Sequence, residues 1–239
     1  PVITAATTNV NTGSVATVPL VPLISDPDGD ADLSTLSIIQ PPASGSAASI
    51  SAADELIVDY SSGSFAGSET VIVQVCDALG NCTQQTFTFN VSNAAPVISV
   101  PAQSGSFNGS VTIDLSTLAS DTDGNLDPAG FSIVQSPTSG AAASMAGAVL
   151  TVNYAGTNFA GNDALTVQAC DLVGACSQAT ITINIANGPP AISIANQNTV
   201  VNGSVSINLN SSINDPDNNL DPSSYQIVSQ PISGALATI

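Results

Sequence analysis

The sequence predicts an all-β protein built from tandem sandwich modules strung into an extended rod. Three observations carry that reading. The chain repeats itself about every 95 residues, a period that marks tandem modules. Short runs alternate apolar with polar residues, the period of a half-buried strand. Aromatics are 4% of the chain and Trp is absent, so the cores have to be built from Val, Ile, Leu and Ala.

The repeat comes first because it fixes the domains. Pro1-Val2-Ile3, Pro96-Val97-Ile98 and Pro190-Ala191-Ile192 open three copies. Asp26-Pro27-Asp28-Gly29, Asp121-Thr122-Asp123-Gly124 and Asp215-Pro216-Asp217-Asn218 keep the same offset, as do Pro42, Pro137 and Pro231. Tyr60, Phe65 and Gly67 match Tyr154, Phe159 and Gly161, and Cys76 and Cys82 match Cys170 and Cys176. The boundaries are therefore 1–95, 96–189 and 190–239, with the third copy aligning only to the N-terminal half of a module. Half a module leaves strands unpaired, so the third is expected to be completed by further chain or by a neighbour.

Within a copy the elements follow from period two. Val111, Ile113 and Leu115 alternate with polar residues; so do Leu150, Val152 and Tyr154, then Leu165, Val167 and Ala169, then Ile181, Ile183 and Ile185. The Ala-rich segment 141–149 has helical propensity. Its counterpart 46–56 instead carries Ile50 and the polar turn Ala52-Ala53-Asp54-Glu55, so both are read as strand, turn, strand. About seven short strands in a module of this size describe an immunoglobulin-like sandwich. The junctions Asn93-Ala94-Ala95-Pro96 and Asn187-Gly188-Pro189-Pro190 are short and stiffened by proline, which favours a rod over a flexible string.

Charge then excludes most chemistry. The chain has 18 Asp plus Glu and no Lys, Arg or His, for a formal net charge of −18. With no side-chain cation, nucleic acid is excluded as a partner, as is electrostatic attraction to anionic lipid. Salt bridges and Lys–Asn isopeptide staples are not expected anywhere. No imidazole or amine is available as base or nucleophile, and no nucleophile has a base beside it, so the chain is read as non-catalytic. No apolar run is long enough to span a bilayer. Residues 1–20 lack a basic n-region and an apolar h-region, so no signal peptide is read there and the chain is expected to be a mature or excised segment.

The series Asp121 to Pro128, Ser132-Ile-Val-Gln-Ser-Pro-Thr-Ser-Gly140, Tyr154 to Gly161 and the Cys170 hairpin closely resembles the tandem-95 repeats of large bacterial surface proteins, a cadherin-like or Ig-like module. The resemblance covers both full copies and the third as far as it goes. It implies a stalk of an adhesin or another exported giant. Copy one departs from the pattern with Asp30-Ala31-Asp32 where copy two has Asn125-Leu126-Asp127, and copy three has Asn218 for the glycine.

Two constellations stand out. Each cysteine pair, Cys76 with Cys82 and Cys170 with Cys176, flanks five residues between alternating strands. A disulfide across the hairpin mouth is the expected state, with reduced thiols or a metal as the alternatives. A disulfide implies an oxidising, extracellular compartment.

The acidic loops are the metal candidates. Copy one offers Asp26, Asp28, Asp30 and Asp32; copy two Asp121, Asp123, Asn125 and Asp127; copy three Asp215, Asp217, Asn219 and Asp221. Hard oxygens at alternate positions suit calcium, because like charges this close need a cation or a proton. Asp, Asn and Gly are equally ordinary in a solvated turn, so the bare loop remains the alternative. Glu69 and Asp163 are candidates to complete the shell. Calcium between modules is not expected, since neither junction contains an acidic residue. Tyr60 and Tyr154 read as corner and core residues. The Asn-X-Ser/Thr sequons at Asn81, Asn90, Asn108, Asn202 and Asn210 are no more numerous than chance predicts.

The expected function is thus a structural stalk outside a bacterial cell, spacing an adhesive element from the surface. A self-assembling filament or sheath subunit that exchanges strands with identical chains is the second reading. A calcium-dependent module for a surface or glycan ligand is the third. The partners expected are the neighbouring repeats.

Overall fold

In the computed structural model, which describes residues 1–239, each full copy forms two facing sheets around its own core. The first module contains β1 (Val2–Ile3), β2 (Thr7–Asn11), β3 (Val15–Pro19), β4 (Ile24–Ser25) and β5 (Ala31–Gln40). After them come β6 (Ala47–Ile50), β7 (Glu55–Asp59), β8 (Gly67–Asp77) and β9 (Cys82–Ser92). One sheet runs β2-β9-β8-β5 and the other β3-β7-β6, with β1 and β4 paired at one end. The β2–β9 pair is parallel; the other pairs are antiparallel.

The second module repeats this plan with β10 (Val97–Ile98), β11 (Gln103–Ser106), β12 (Ser110–Asp114), β13 (Ala119–Ser120) and β14 (Ser132–Gln135). Its remaining strands are β15 (Ala142–Ala146), β16 (Val149–Asn153), β17 (Gly161–Cys170) and β18 (Cys176–Ala186). The sheets are β11-β18-β17-β14 and β12-β16-β15. The Ala-rich segment is the hairpin β15–β16, pairing Ala143 with Val152 and Met145 with Leu150. Alternation decides this over helical propensity, because period two buries Leu150 and Val152 against the facing sheet.

The cores are separate and aliphatic. In the first, Leu56 and Val58 face Val71, Val73, Val75, Phe87 and Phe89. In the second, Leu150 and Val152 face Leu165, Val167, Ile181 and Ile183. Tyr60 and Tyr154 are buried and stack on Phe65 and Phe159, with centroids 5.9 and 6.2 Å apart.

The third copy keeps only β19 (Ala191–Ile192) paired with β20 (Ile213–Asn214). Its alternating run Ser204 to Leu209 forms no strand. The strand that pairs with this run in the full copies, β7 or β16, has no counterpart within 190–239. No helix is long and apolar enough to cross a membrane.

Candidate functional site

Each acidic loop starts as the same turn. The first Asp accepts the amide of the residue two on, with Asp26, Asp121 and Asp215 receiving Asp28, Asp123 and Asp217 at 2.9, 2.8 and 2.9 Å. The fourth residue needs a left-handed backbone, supplied by Gly29 (φ +77), Gly124 (φ +73) and Asn218 (φ +56). Asn is among the non-glycine residues that best tolerate that region, so copy three keeps the turn.

The fifth residue is then strapped to the cysteine hairpin. The Ala78 amide donates to the Asp30 carbonyl at 3.1 Å, and the Leu172 amide to the Asn125 carbonyl at 2.9 Å. Both hairpins are closed by disulfides, Cys76–Cys82 and Cys170–Cys176. The straps bring the residue after the first cysteine of each hairpin to the loop. In copy one Asp26, Asp30 and Asp77 offer carboxylate oxygens within 4.8 Å of one another. Asp77 is absent from the sequence-derived ligand set, although an Asp follows the first cysteine in both full copies.

The other candidates have separate duties. Asp28 is exposed. Asp32, Asp127 and Asp221 accept the amides of Ser34, Ala129 and Ser223 at 3.0, 2.9 and 2.9 Å, so they cap turns. Glu69 and Asp163 do not complete a shell, because both point into the sandwich. Glu69 accepts the Ser44 amide and hydroxyl, each at 3.0 Å. Asp163 accepts the Thr138 and Ser139 hydroxyls at 2.7 and 2.6 Å, the Ser139 amide at 2.9 Å and the Tyr154 hydroxyl at 3.0 Å.

Electrostatics follow the geometry. Partial desolvation, with Asp26 and Asp77 as like-charged neighbours, raises the Asp30 carboxyl above the usual carboxylate value. Asp26 Oδ2 lies 2.9 Å from the Pro1 nitrogen, and its Oδ1 accepts the Asp28 amide. Asp77 is lowered by the Asn81 side chain and main chain.

The junctions gather acids that the linkers themselves lack. The linkers contain no acid, yet the acidic loop of the following module folds onto each linker. Asp123 accepts the Ala94 amide at 2.6 Å, and Asp217 accepts the Gly188 amide. Asn93 donates to Asp171 at 2.8 Å and accepts from the Asn125 amide at 2.8 Å, which also donates to the Gly63 carbonyl at 3.1 Å. Asn125 is 2% exposed. At the second junction the side chains of Asn187 and Asn219 meet, with the Asn219 amide also facing the Asp215 carboxylate. Contact at the first junction requires glycine at two places. A Cβ on Gly63 would lie 2.6 Å from the Asn125 Cβ, and one on Gly13 would lie 2.2 Å from the Asp123 carbonyl oxygen.

Two Ig-like sandwiches in tandem, joined loop to linker, define the class. The chain belongs to the bacterial Ig domain family, whose model matches residues 1–90 and again 93–184. No curated protein matches it. Similar solved structures include an endo-fucoidan hydrolase of glycoside hydrolase family 107, at 18% identity over 78% of this chain and 28% of that chain, with TM-score 0.35. The chain thus spans well under half of that enzyme. Titin domains Z1Z2 in complex with telethonin match at 14% identity over 76% of this chain and 92% of that chain, with TM-score 0.38. Human protocadherin-24 EC1-2 matches at 19% identity over 77% and 96%, with TM-score 0.33. These likenesses concern the fold alone.

Proposed function

We propose that the chain is a non-catalytic structural stalk segment of a large extracellular bacterial surface protein, an adhesin or filament protein, spacing an adhesive element from the cell. The observation that carries this reading is the junction. Each linker is gripped by the next module's acidic loop through the same pair of asparagines, Asn93 with Asn125 and Asn187 with Asn219. Coupling of this kind transmits orientation from module to module, which a spacer needs and a flexible tether does not supply. Two disulfides fit an oxidising compartment outside the cytoplasm. The lack of Lys, Arg and His leaves no imidazole or amine to act as base or nucleophile. Small-angle scattering of the chain in solution tests the reading. An elongated particle whose length grows by one module per repeat added is expected; modules folded back on one another would sink it.

A further inference from the structure

One phenylalanine of this chain belongs to neither core. Phe65, Phe87 and Phe89 pack in the first core, and Phe131 and Phe159 in the second. Phe107, which follows β11, is half-buried at the pole of the second module that meets copy three. Thr12 holds the same place in the first module. The Thr12 amide donates to the Ser92 carbonyl at 2.8 Å, and the Phe107 amide to the matching Ala186 carbonyl at 3.1 Å. Thr12 is 1% exposed, beside the Gly13 backbone that meets Asp123 of the next module.

The second junction stays open at that place. Asn108 stands for Gly13 and Thr157 for Gly63, so the close approach that needs two glycines is not available. The Asn187–Asn219 pair still meets, and beside it lies a cleft of 410 Å³ lined by Phe107, Asn158, Ala160, Asn187 and Asn219. That volume falls within the range of small-molecule sites, about 300–1,000 Å³. An aromatic ring supplies a flat apolar face, and each asparagine supplies amide donors and an acceptor. A sugar ring is the complement: one face of C–H groups, rimmed by hydroxyls that both donate and accept. No charged residue lines the cleft. A chain of net charge −18 with no side-chain cation repels sulfated, phosphorylated and uronic sugars, which leaves neutral ones.

We propose that this cleft binds a neutral sugar unit of a polysaccharide, its ring stacked on Phe107 and its hydroxyls held by Asn158, Asn187 and Asn219. The segment then carries adhesion of its own at a junction between modules. The site does not rest on the stalk reading, because polysaccharide binding and particle length are separate measurements.

The test is native electrophoresis of the full chain through gels containing a soluble β-glucan, a mannan or a galactomannan. Retardation by at least one of these neutral polymers is expected. Phe107→Ala should weaken it about tenfold, the worth of one aromatic stack, and leave the unfolding midpoint unchanged because the ring serves neither core. Asn158→Gly keeps the left-handed backbone at φ +52, removes one amide, and should weaken retardation severalfold. Leu79→Ala, at the exposed tip of the first hairpin, should leave it unchanged. Retardation by none of the three polymers overturns the proposal. So does retardation that survives Phe107→Ala, or a preference for dextran sulfate over the neutral polymers.

Discussion

The Tyr154 hydroxyl donates a 3.0 Å hydrogen bond to the Asp163 carboxylate, whereas the Tyr60 hydroxyl approaches Glu69, at the same place in the first module, without reaching good hydrogen-bond geometry. The two tyrosines are equally buried, and burial together with the adjacent carboxylate raises both phenols well above their usual value. The acid differs. Glu69 carries one more methylene and gives both oxygens to Ser44, while Asp163 divides its own among Thr138, Ser139 and Tyr154.

Tyr154→Phe should therefore cost the second module about 1.5–3 kcal/mol, the worth of a hydrogen bond to a charged group. Tyr60→Phe should change the first module by less than about 0.5 kcal/mol or stabilise it, because it removes a buried hydroxyl whose contact with Glu69 is poorly formed. Urea unfolding of each variant measures the contrast, and equal losses would refute it.

Asp163 also sets an acid limit. Burial raises its carboxyl, but donors from Ser139, Thr138 and Tyr154 outweigh burial and hold it below the ordinary value. A carboxyl lowered on folding contributes stability above its unfolded pKa, and that contribution is lost as pH falls through the folded value. The second module should weaken below about pH 4, and Asp163→Asn should flatten that limb. At neutral pH the same substitution should cost about 2–4 kcal/mol, since it unbalances four buried bonds. Denaturant midpoints across the acid range supply the check.

The disulfides close small rings at the hairpin mouths, Cys76 to Cys82 and Cys170 to Cys176, with a sequence separation of 6 in each. The chain-entropy relation gives roughly 2–2.5 kcal/mol for each ring. Reduction should lower the unfolding free energy of each module by that amount without unfolding the sandwiches, whose cores lie elsewhere. Loss of all β-structure on reduction in native buffer would contradict this.

Gly63 tests the junction. Gly63→Ala sets a Cβ against Asn125 in a left-handed backbone, at φ +66. Gly147→Ala, at φ +58 with open space around it, carries the backbone penalty alone, about 1–2 kcal/mol. Residual dipolar couplings should show the two modules changing orientation in the first variant and keeping it in the second.

Much of the fold was legible because three copies of one pattern constrain one another. The Ala-rich 141–149 segment resolves as β15–β16 only beside its counterpart in copy one, where Ile50 and the polar turn break any helix. The site was legible in part. Asp26, Asp30, Asp121 and Asn125 stood in the loop pattern, but Asp77 and Asp171 join through main-chain straps from the hairpin, a long-range pairing that local spacing does not encode. The junction contacts lie beyond local spacing for the same reason: the linkers carry no acid, and the acids that touch them lie about thirty residues further on, in the loop of the next module.

The two junctions share one bonding plan: an asparagine in the linker against one in the loop, and an aspartate on the linker amide that follows. Alike contacts impose alike rotations, and one rotation repeated along an axis is a screw. Modules joined this way would climb a helix whose pitch is set by the angle at a single Asn–Asn pair. A substitution at that pair would then alter the direction in which the far end faces, by an error that accumulates with every copy in between.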